Sequence, residues 1–197
     1  MLTGQVYGGC VNPAAAPYRS LIVEYTKRLG EELVSRGVVG HFSADFLAEN
    51  TRADATGSWN VTGVEINLRQ GGTTHPFSTM AALCGGQTCS DGIFRMQSGD
   101  ERYYEATDSF TDCRLSGLKP SIFLSKHLIS FDSTAQKLCW NNSEKVGVVF
   151  HLLSVLEKGK IGFTAIGRTP MHARELCEGT KRMLKRIAET WASEKVI

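Results

Sequence analysis

A pair of strand-like segments followed by a helix-like segment occurs twice in this 197-residue chain. The strand-like segments are rich in apolar and β-branched residues, and the helix-like segments carry apolar residues at the spacing of one helix face. A strand pair joined by one loop is antiparallel, and a following helix can cover one of its faces. The pattern therefore predicts an α+β fold with an antiparallel sheet and flanking helices. The predicted strands are residues 38–48, 61–68, 146–156 and 161–166, and the helices after them are residues 76–83 and 169–191.

Another helix is predicted over residues 17–36, where Gly37 provides the stop signal. Residues 87–145 are irregular, with strand-like pieces around residues 102–106 and 121–124. Along the last helix, apolar residues recur at helical spacing and are the expected core contacts. They are Met171, Leu176, Met183, Leu184, Ile187 and Trp191.

Composition and charge exclude several classes of protein. Hydrophobic residues make up 42% and charged residues 21%, which excludes disorder and coiled coil as the dominant state. The net charge of +2 argues against nucleic acid or an anionic membrane as the main partner. Residues 1–10 lack the pattern of a signal peptide, so a cytoplasmic protein is expected. The six cysteines lack Cys-x-x-Cys spacing and are expected to be reduced, mostly in the core.

The second predicted strand carries an acid, an amide and a guanidinium on one face. Glu65, Asn67 and Arg69 alternate with Val64, Ile66 and Leu68, which are expected to pack on the other face. If the hairpin turns near Ala55, Asp45 lies opposite Glu65, and the two carboxylates converge with the Asn67 oxygen. Clustered hard oxygen ligands suit Mg²⁺ that bridges phosphates, rather than zinc.

The loop after this strand has the composition of an anion site. Gly71, Gly72, Thr73, Thr74 and His75 lead directly into a predicted helix N-terminus. Small residues allow backbone N–H groups to face outward, and the helix dipole favours an anion there. The sequence therefore predicts a carboxylate or acyl-phosphate site beside the metal–phosphate site.

Each of these patterns also has a milder interpretation. The strand face can be a solvated surface with loose ion pairs, and the glycine-threonine loop can be a simple turn. His75 either steers a substrate carboxylate or caps the helix, while His151 in an apolar strand is expected to be a satisfied core histidine. His41 is a weak candidate to support Asp45. A hydrolase that uses Asp45 and Glu65 as an acid–base pair is a further, weaker hypothesis.

These residues resemble the end of an ATP-grasp catalytic domain. Asp45 matches the acid on one strand, Glu65 and Asn67 match the Glu-x-Asn pair on the next strand, and Arg69 matches the basic residue that follows. The string from Glu65 to Phe77 is more specific and is similar to the branch that contains the pheganomycin-type peptide ligases. Supporting similarity extends over Gly8–Cys10, Gly37–Gly40, Tyr104–Asp108, Gly147–His151, Gly159–Gly162 and Ala165–Gly167.

The resemblance implies a ligase that uses ATP to phosphorylate a carboxylate, after which an amine attacks the acyl phosphate. Asp45, Glu65 and Asn67 would hold Mg²⁺ (or Mn²⁺), and Glu65, Asn67 and Arg69 would contact ATP. Arg69 and the Gly72 backbone would stabilise the charge that develops during the reaction. The substrate loop would comprise Gly71, Gly72, Thr73, Thr74 and His75. The implied partners are ATP and carboxylate and amine substrates, either small molecules or peptides.

An ATP-grasp fold also requires a nucleotide-binding lobe, which is not recognisable before Gly8. The chain is therefore expected to be the C-terminal half of such a ligase: a fragment, the product of a truncated gene, or a subunit. As a subunit, it would be completed by the N-terminal half as a separate chain or by a homo-oligomer. Residues 1–86 would form the C-terminal part of the catalytic domain, and residues 87–197 would form an α+β region packed on it. The alternative is a non-catalytic remnant that acts as a binding or interaction module.

Overall fold

The computed structural model describes residues 8–51, 58–128 and 139–194 of the chain. The helices are α1 (Ala16–Ser35), α2 (Thr74–Cys84), α3 (Pro120–Ile122, continued by a π-helical turn over Phe123–Leu128) and α4 (Pro170–Glu194). The strands are β1 (Gly9–Asn12), β2 (Ser43–Asn50), β3 (Trp59–Asn67), β4 (Gly86–Thr88), β5 (Phe94–Met96), β6 (Glu101–Thr111), β7 (Gly147–His151) and β8 (Lys160–Gly167). Short 3-10 turns cover Cys113–Leu115 and Leu153–Lys158.

The strands form two separate antiparallel sheets. The larger sheet has the order β4-β5-β6-β8-β7, and β1 pairs with β6 beside β5. The smaller sheet is the β2–β3 hairpin. Since β8 pairs with β6 on one side and β7 on the other, it lies at the centre of the larger sheet.

Helices cover both faces of this central strand. Ile161, Phe163 and Ala165 are fully buried in the cluster that includes Leu184 and Ile187 of α4. Ile166 points to the opposite face, where it packs with Tyr104, Phe94 and Met80 of α2. Side chains of a strand alternate between faces, so α4 covers one face of the sheet and α2 covers the other.

Most of the predicted elements are confirmed. The predicted α+β class is observed, with every strand pair between the named strands antiparallel. The helix predicted over residues 17–36 is α1, and Gly37 follows it with a φ of +80°. The helix predicted over residues 76–83 is α2, which ends at Gly85 in the left-handed conformation. The last helix begins at Pro170 and is α4.

Three predictions of local structure are wrong. Residues 121–124 are helical rather than extended, because Pro120 starts a helical turn and a short apolar run does not distinguish the two states. The strand predicted over residues 146–156 stops at His151, since Leu152 has a φ of +56°. Met171 is 69% exposed, so it is not a core residue of α4, whereas Leu176, Met183, Leu184 and Ile187 are buried.

None of the helices within the described ranges combines the length and apolar content that a membrane-crossing segment needs. The six cysteines are free thiols, of which Cys84 and Cys177 are buried. Cys113 and Cys139 are exposed, which contradicts a core position for those two residues.

The predicted division at residue 86 remains a prediction. Elements from both sides of that position contribute to the larger sheet, since β1 pairs with β6. Helix α2 also packs on this sheet, where Met80 and Cys84 belong to the same buried cluster as Phe94 and Tyr104.

Candidate functional site

The β2–β3 hairpin brings two of the predicted metal ligands face to face. Asp45 pairs with Glu65, and two residues further along, Ser43 pairs with Asn67. The register shifts between Asp45 and Phe46, because Phe46 pairs with Gly63 and β3 therefore contains one additional residue. A β-bulge of this kind redirects neighbouring side chains and is common beside functional sites. The predicted pairing of Asp45 with Glu65 is confirmed. The predicted turn near Ala55 lies outside the described residues.

Both carboxylates are accessible to solvent, and Glu65 also borders the cavity between α1 and the hairpin. Phe46 packs toward α1, with its ring centroid 6.5 Å from that of Tyr25, so the neighbouring Asp45 points to the other face. Asp45 and Glu65 are exposed, and Asn67 is half-buried. The Asn67 Nδ2 donates to Asp45 Oδ2 across 3.5 Å. Asp45 and Asn67 therefore meet at the end of the hairpin that leads into the loop before α2.

The predicted packing of the apolar side chains on β3 is wrong. Val64, Ile66 and Leu68 are 69%, 50% and 59% exposed. Helix α1 contacts the hairpin through Tyr18, whose ring lies 4.8 Å from that of Trp59, and through Tyr25. A cavity of about 460 Å³ lies between α1 and this end of the hairpin, with Tyr25, Leu29, Phe46 and Ile66 among its lining residues. The described residues therefore leave part of this apolar face uncovered.

The loop before α2 is held by hydrogen bonds between its own ends. The Gly71 N–H donates to Thr74 Oγ1 at 3.0 Å, and the Thr74 N–H donates to the Gly71 carbonyl at 3.0 Å. A Cβ at position 71 would lie 3.3 Å from Ser43 Oγ, so the loop rests closely against β2. The Gly71 N–H is thus engaged within the loop. Arg69 is exposed, and its Nη1 donates to the Gln70 carbonyl at 3.2 Å.

A histidine pair lies where this loop enters α2. His75 is exposed in the first turn of α2, and its ring centroid is 4.6 Å from that of His151, with the rings 70° apart. His151 Nε2 lies 2.8 Å from Asp108 Oδ1. The His151 Nδ1 is buried and has no hydrogen-bond partner among the described residues. The prediction of a satisfied core histidine is therefore wrong, and the residue contacts one of the predicted substrate-binding positions.

Gly162 makes the contact between His151 and Asp108 geometrically possible. His151 pairs with Gly162 on β8, and the pairing of β8 with β6 is irregular between Thr107 and Phe110, beside Asp108. A Cβ at position 162 would lie 2.3 Å from His151 Nε2, so the imidazole passes over the glycine to reach β6. Sequence analysis did not identify Asp108 as a site residue. A glycine opposite a histidine in an otherwise apolar hairpin was the available signal.

Burial lowers the pKa of His151 below its ordinary value of 6.5, and the Asp108 carboxylate partly opposes that shift. The groups that face the imidazole are Asp108 and the Thr107 carbonyl from β6, and His75 from α2. Gly162 of β8 contributes no charge. His151 is therefore neutral at physiological pH.

This lowered pKa predicts a pH dependence of stability. Below about pH 6.5 the unfolded chain protonates His151 more readily than the native protein does, so the free energy of unfolding should fall as pH decreases from about 7 to about 5. Urea denaturation at several pH values measures this slope. His151→Gln should reduce the slope of the unfolding free energy against pH by an amount that corresponds to at most about one bound proton. His172→Gln, at the start of α4, serves as the control. An unchanged slope in His151→Gln would contradict the assignment.

A second cluster of potential metal ligands is formed by β6 of the larger sheet and α4, and its carboxylates already have cationic partners. The potential ligand atoms of Glu105, Cys177 and Glu178 all lie within 4.8 Å of one another. Arg174 Nε lies 3.6 Å from Glu105, and Lys181 Nζ lies 2.7 Å from Glu178. Burial raises the pKa of Cys177 to about 12, so its thiol stays protonated. This cluster is therefore a set of ion pairs around a buried thiol rather than a metal centre.

Comparison with known proteins connects the chain to a ligase. It is 30% identical over 171 residues to the L-propargylglycine--L-glutamate ligase of Streptantibioticus cattleyicolor, a match that covers 86% of this chain and 33% of that enzyme. The matched region belongs to the C-terminal part of the enzyme. The chain thus spans about a third of the length of the curated relative it matches. No family model and no solved structure matches. The similarity confirms the resemblance to ATP-grasp carboxylate–amine ligases of the pheganomycin type.

Proposed function

We propose that this chain, as a homologue of ATP-grasp ligases, forms the metal- and substrate-binding portion of an ATP- and Mg²⁺-dependent carboxylate–amine ligase. The observation that supports the proposal is the β2–β3 register, which sets Asp45 opposite Glu65 with Asn67 beside Asp45. The loop of residues 71–75 then connects this exposed acidic surface directly to α2. A metal–phosphate site and a substrate site would therefore be neighbours.

The donor set is compatible with Mg²⁺. Asp45 and Glu65 offer carboxylate oxygens on one exposed face, and Asn67 offers an amide oxygen once the amide rotates away from its present contact with Asp45. Mg²⁺ is usually held by one or two carboxylates together with phosphate oxygens and water. The side chains of Asp45, Glu65 and Asn67 therefore supply enough protein ligands for one ion. When bound, the ion would neutralise charge on the phosphates of ATP.

In this proposal, the remaining residues of the site position the transferred groups. Arg69 is exposed beside the acidic face and would bind phosphate oxygens during transfer to the substrate carboxylate. That transfer gives an acyl phosphate and ADP. The amine nitrogen then bonds to the acyl carbon while the bond to phosphate breaks and the amine loses a proton. Backbone N–H groups at Gly72 and Thr73 would stabilise the negative charge that develops on the acyl oxygen.

Amino acids are the substrate class that we propose for both the carboxylate and the amine. The name of the ligase relative specifies two amino acids, L-propargylglycine and L-glutamate. Groups that bind the adenine and the α- and β-phosphates would come from parts of the enzyme that correspond to the remaining two thirds of that relative.

Amino-acid-dependent release of ADP tests the proposed function. The natural polypeptide that carries this sequence is incubated with Mg·ATP and a panel of amino acids that includes L-glutamate, with hydroxylamine present to trap acyl phosphate as a hydroxamate. We expect ADP and hydroxamate in equal amounts with at least one amino acid, and neither product after EDTA treatment. ADP release without hydroxamate, or no release with any member of the panel, would contradict the proposal.

A further inference from the structure

Three polar side chains from three different elements meet where the substrate loop enters α2. His75 lies in the first turn of α2, His151 ends β7, and Asp108 lies on β6. The His75 and His151 ring centroids are 4.6 Å apart, and His151 Nε2 is 2.8 Å from Asp108 Oδ1. This cluster is separate from the Asp45 and Glu65 face and has no role in the proposed phosphoryl transfer.

The surroundings of His151 fix which ring nitrogen carries its proton. The Nε2 lies 2.8 Å from the Asp108 carboxylate, which only accepts hydrogen bonds when ionised, so Nε2 is the N–H donor. The Nδ1 of the neutral ring is then unprotonated and carries a lone pair that can accept a hydrogen bond. That lone pair is buried without a partner among the described residues, in a side chain that is only 10% exposed.

A purely structural histidine does not account for this arrangement. A buried acceptor without a hydrogen bond costs about 1–3 kcal/mol, so a core position would be expected to satisfy it. The chain also keeps position 162 free of a side chain, and a Cβ there would collide with the imidazole. The buried lone pair instead resembles the oriented base of a catalytic dyad, in which a carboxylate fixes the tautomer of a histidine.

We propose that Asp108, His151 and His75 form a proton relay in which His75 accepts the proton of the attacking amine. The inference rests on the proposed ligase function. His75 is the catalytic residue, because it is the exposed member at the substrate loop, while His151 and Asp108 are positioning residues. The relay requires a hydrogen bond from a His75 N–H to His151 Nδ1, between rings whose centroids lie 4.6 Å apart.

The relay moves one proton while the amide forms. The amine nitrogen bonds to the acyl carbon, the carbon–oxygen bond to phosphate breaks, and phosphate leaves with the electron pair. The amine proton passes to the free nitrogen of His75, and the proton on the other His75 nitrogen passes to His151 Nδ1. The resulting imidazolium of His151 lies beside the Asp108 carboxylate, which stabilises the positive charge. Return of the proton to solvent through His75 completes the cycle.

Histidine ring NMR tests the coupling without any ligase activity. In the wild-type chain, we expect His151 to carry its proton on Nε2. His151→Gln should change the nitrogen chemical shifts of the His75 ring, and Gly162→Ala should do the same by displacing the imidazole. The ring nitrogens of His172 serve as the internal control, and their chemical shifts should not change. If neither substitution alters the His75 ring signals, the relay is overturned.

Kinetics with two nucleophiles separate the relay from the proposed function. Hydroxylamine needs little help from a base, because it is already unprotonated at neutral pH. His75→Gln should therefore lower amide formation from an amino-acid amine about 100-fold or more relative to hydroxamate formation by the same variant. Asp108→Asn should lower amide formation and move the acidic limb of its pH profile to lower pH, since loss of the carboxylate lowers the pKa of His151 further.

The outcomes of the two experiments are distinguishable. If wild-type protein forms hydroxamate and His75→Gln retains the wild-type rate of amide formation, the relay is wrong and the ligase function stands. If wild-type protein forms no hydroxamate, the ligase function is wrong, and the proposed role of His75 in that reaction is overturned with it. His172→Gln should behave as wild type in both assays.

Discussion

Replacement of Asp45 by Asn together with Glu65 by Gln should reduce Mg²⁺-dependent ADP release by about 100- to 1,000-fold or more, because both proposed anionic ligands become neutral. The two side chains keep their size and lie opposite each other on an exposed face, so the hairpin should remain folded. ADP release measured over a range of Mg²⁺ concentrations checks the result. Mn²⁺ binding followed by electron paramagnetic resonance in the presence of ATP checks the metal affinity directly.

Stability should change in the opposite direction from activity. Like charges directly opposite each other on an antiparallel pair are destabilising. The Asp45→Asn and Glu65→Gln variant should therefore be as stable as wild type or more stable by a few tenths of a kcal/mol. A charge pair kept at a cost to stability is typical of a functional site.

Glu49→Gln provides the matched control for this variant. Glu49 is an exposed carboxylate on the same strand as Asp45, four residues further along, and it pairs with Asn60 rather than with another acid. Its neutralisation should leave ADP release and Mn²⁺ binding unchanged. Equal Mn²⁺ affinity in the wild-type protein and the double variant would show that Asp45 and Glu65 are not the ligands.

Strand alternation and hairpin symmetry were sufficient to predict the Asp45–Glu65 pairing. The predicted turn near Ala55 implied this register, and a strand period of two then placed Asn67 next to the pair. The packing of Val64 and Ile66 could not be predicted in the same way. Alternation shows that two faces differ, but it does not show which elements cover each face or where a bulge adds a residue.

The Asp108–His151 contact was missed because it depends on long-range strand order. The two residues are 43 positions apart and lie on strands that flank β8 on opposite sides. A local pattern identifies β7 and β8 as a hairpin, but it does not reveal that β6 pairs with the far edge of β8. Gly162 leaves space for the His151 imidazole to reach β6, and this role is visible only once the register of β6, β7 and β8 is known.

Replacement of Arg102 by Met should lower the free energy of unfolding by about 1–3 kcal/mol, because a buried side chain loses its hydrogen bonds. Arg102 lies on β6 and is 5% exposed. It donates to the carbonyls of Glu101 at 2.7 Å, Glu144 at 2.7 Å and Lys145 at 2.9 Å. Met fills much of the same volume but donates no hydrogen bond, so the carbonyl groups of Glu144 and Lys145 before β7 lose this donor. Urea denaturation measures the change.

Arg168→Met is the control that separates burial from charge. Arg168 also contacts the segment before β7, where its Nη2 lies 3.0 Å from Glu144 Oε2, but its side chain is 55% exposed. An exposed ion pair contributes about 0–1 kcal/mol, so this variant should lose little stability although the same positive charge is removed. Similar losses in the two variants would mean that Arg102 acts through charge alone. A much larger loss in Arg102→Met would show that its hydrogen bonds to the segment before β7 stabilise the fold beyond the effect of charge.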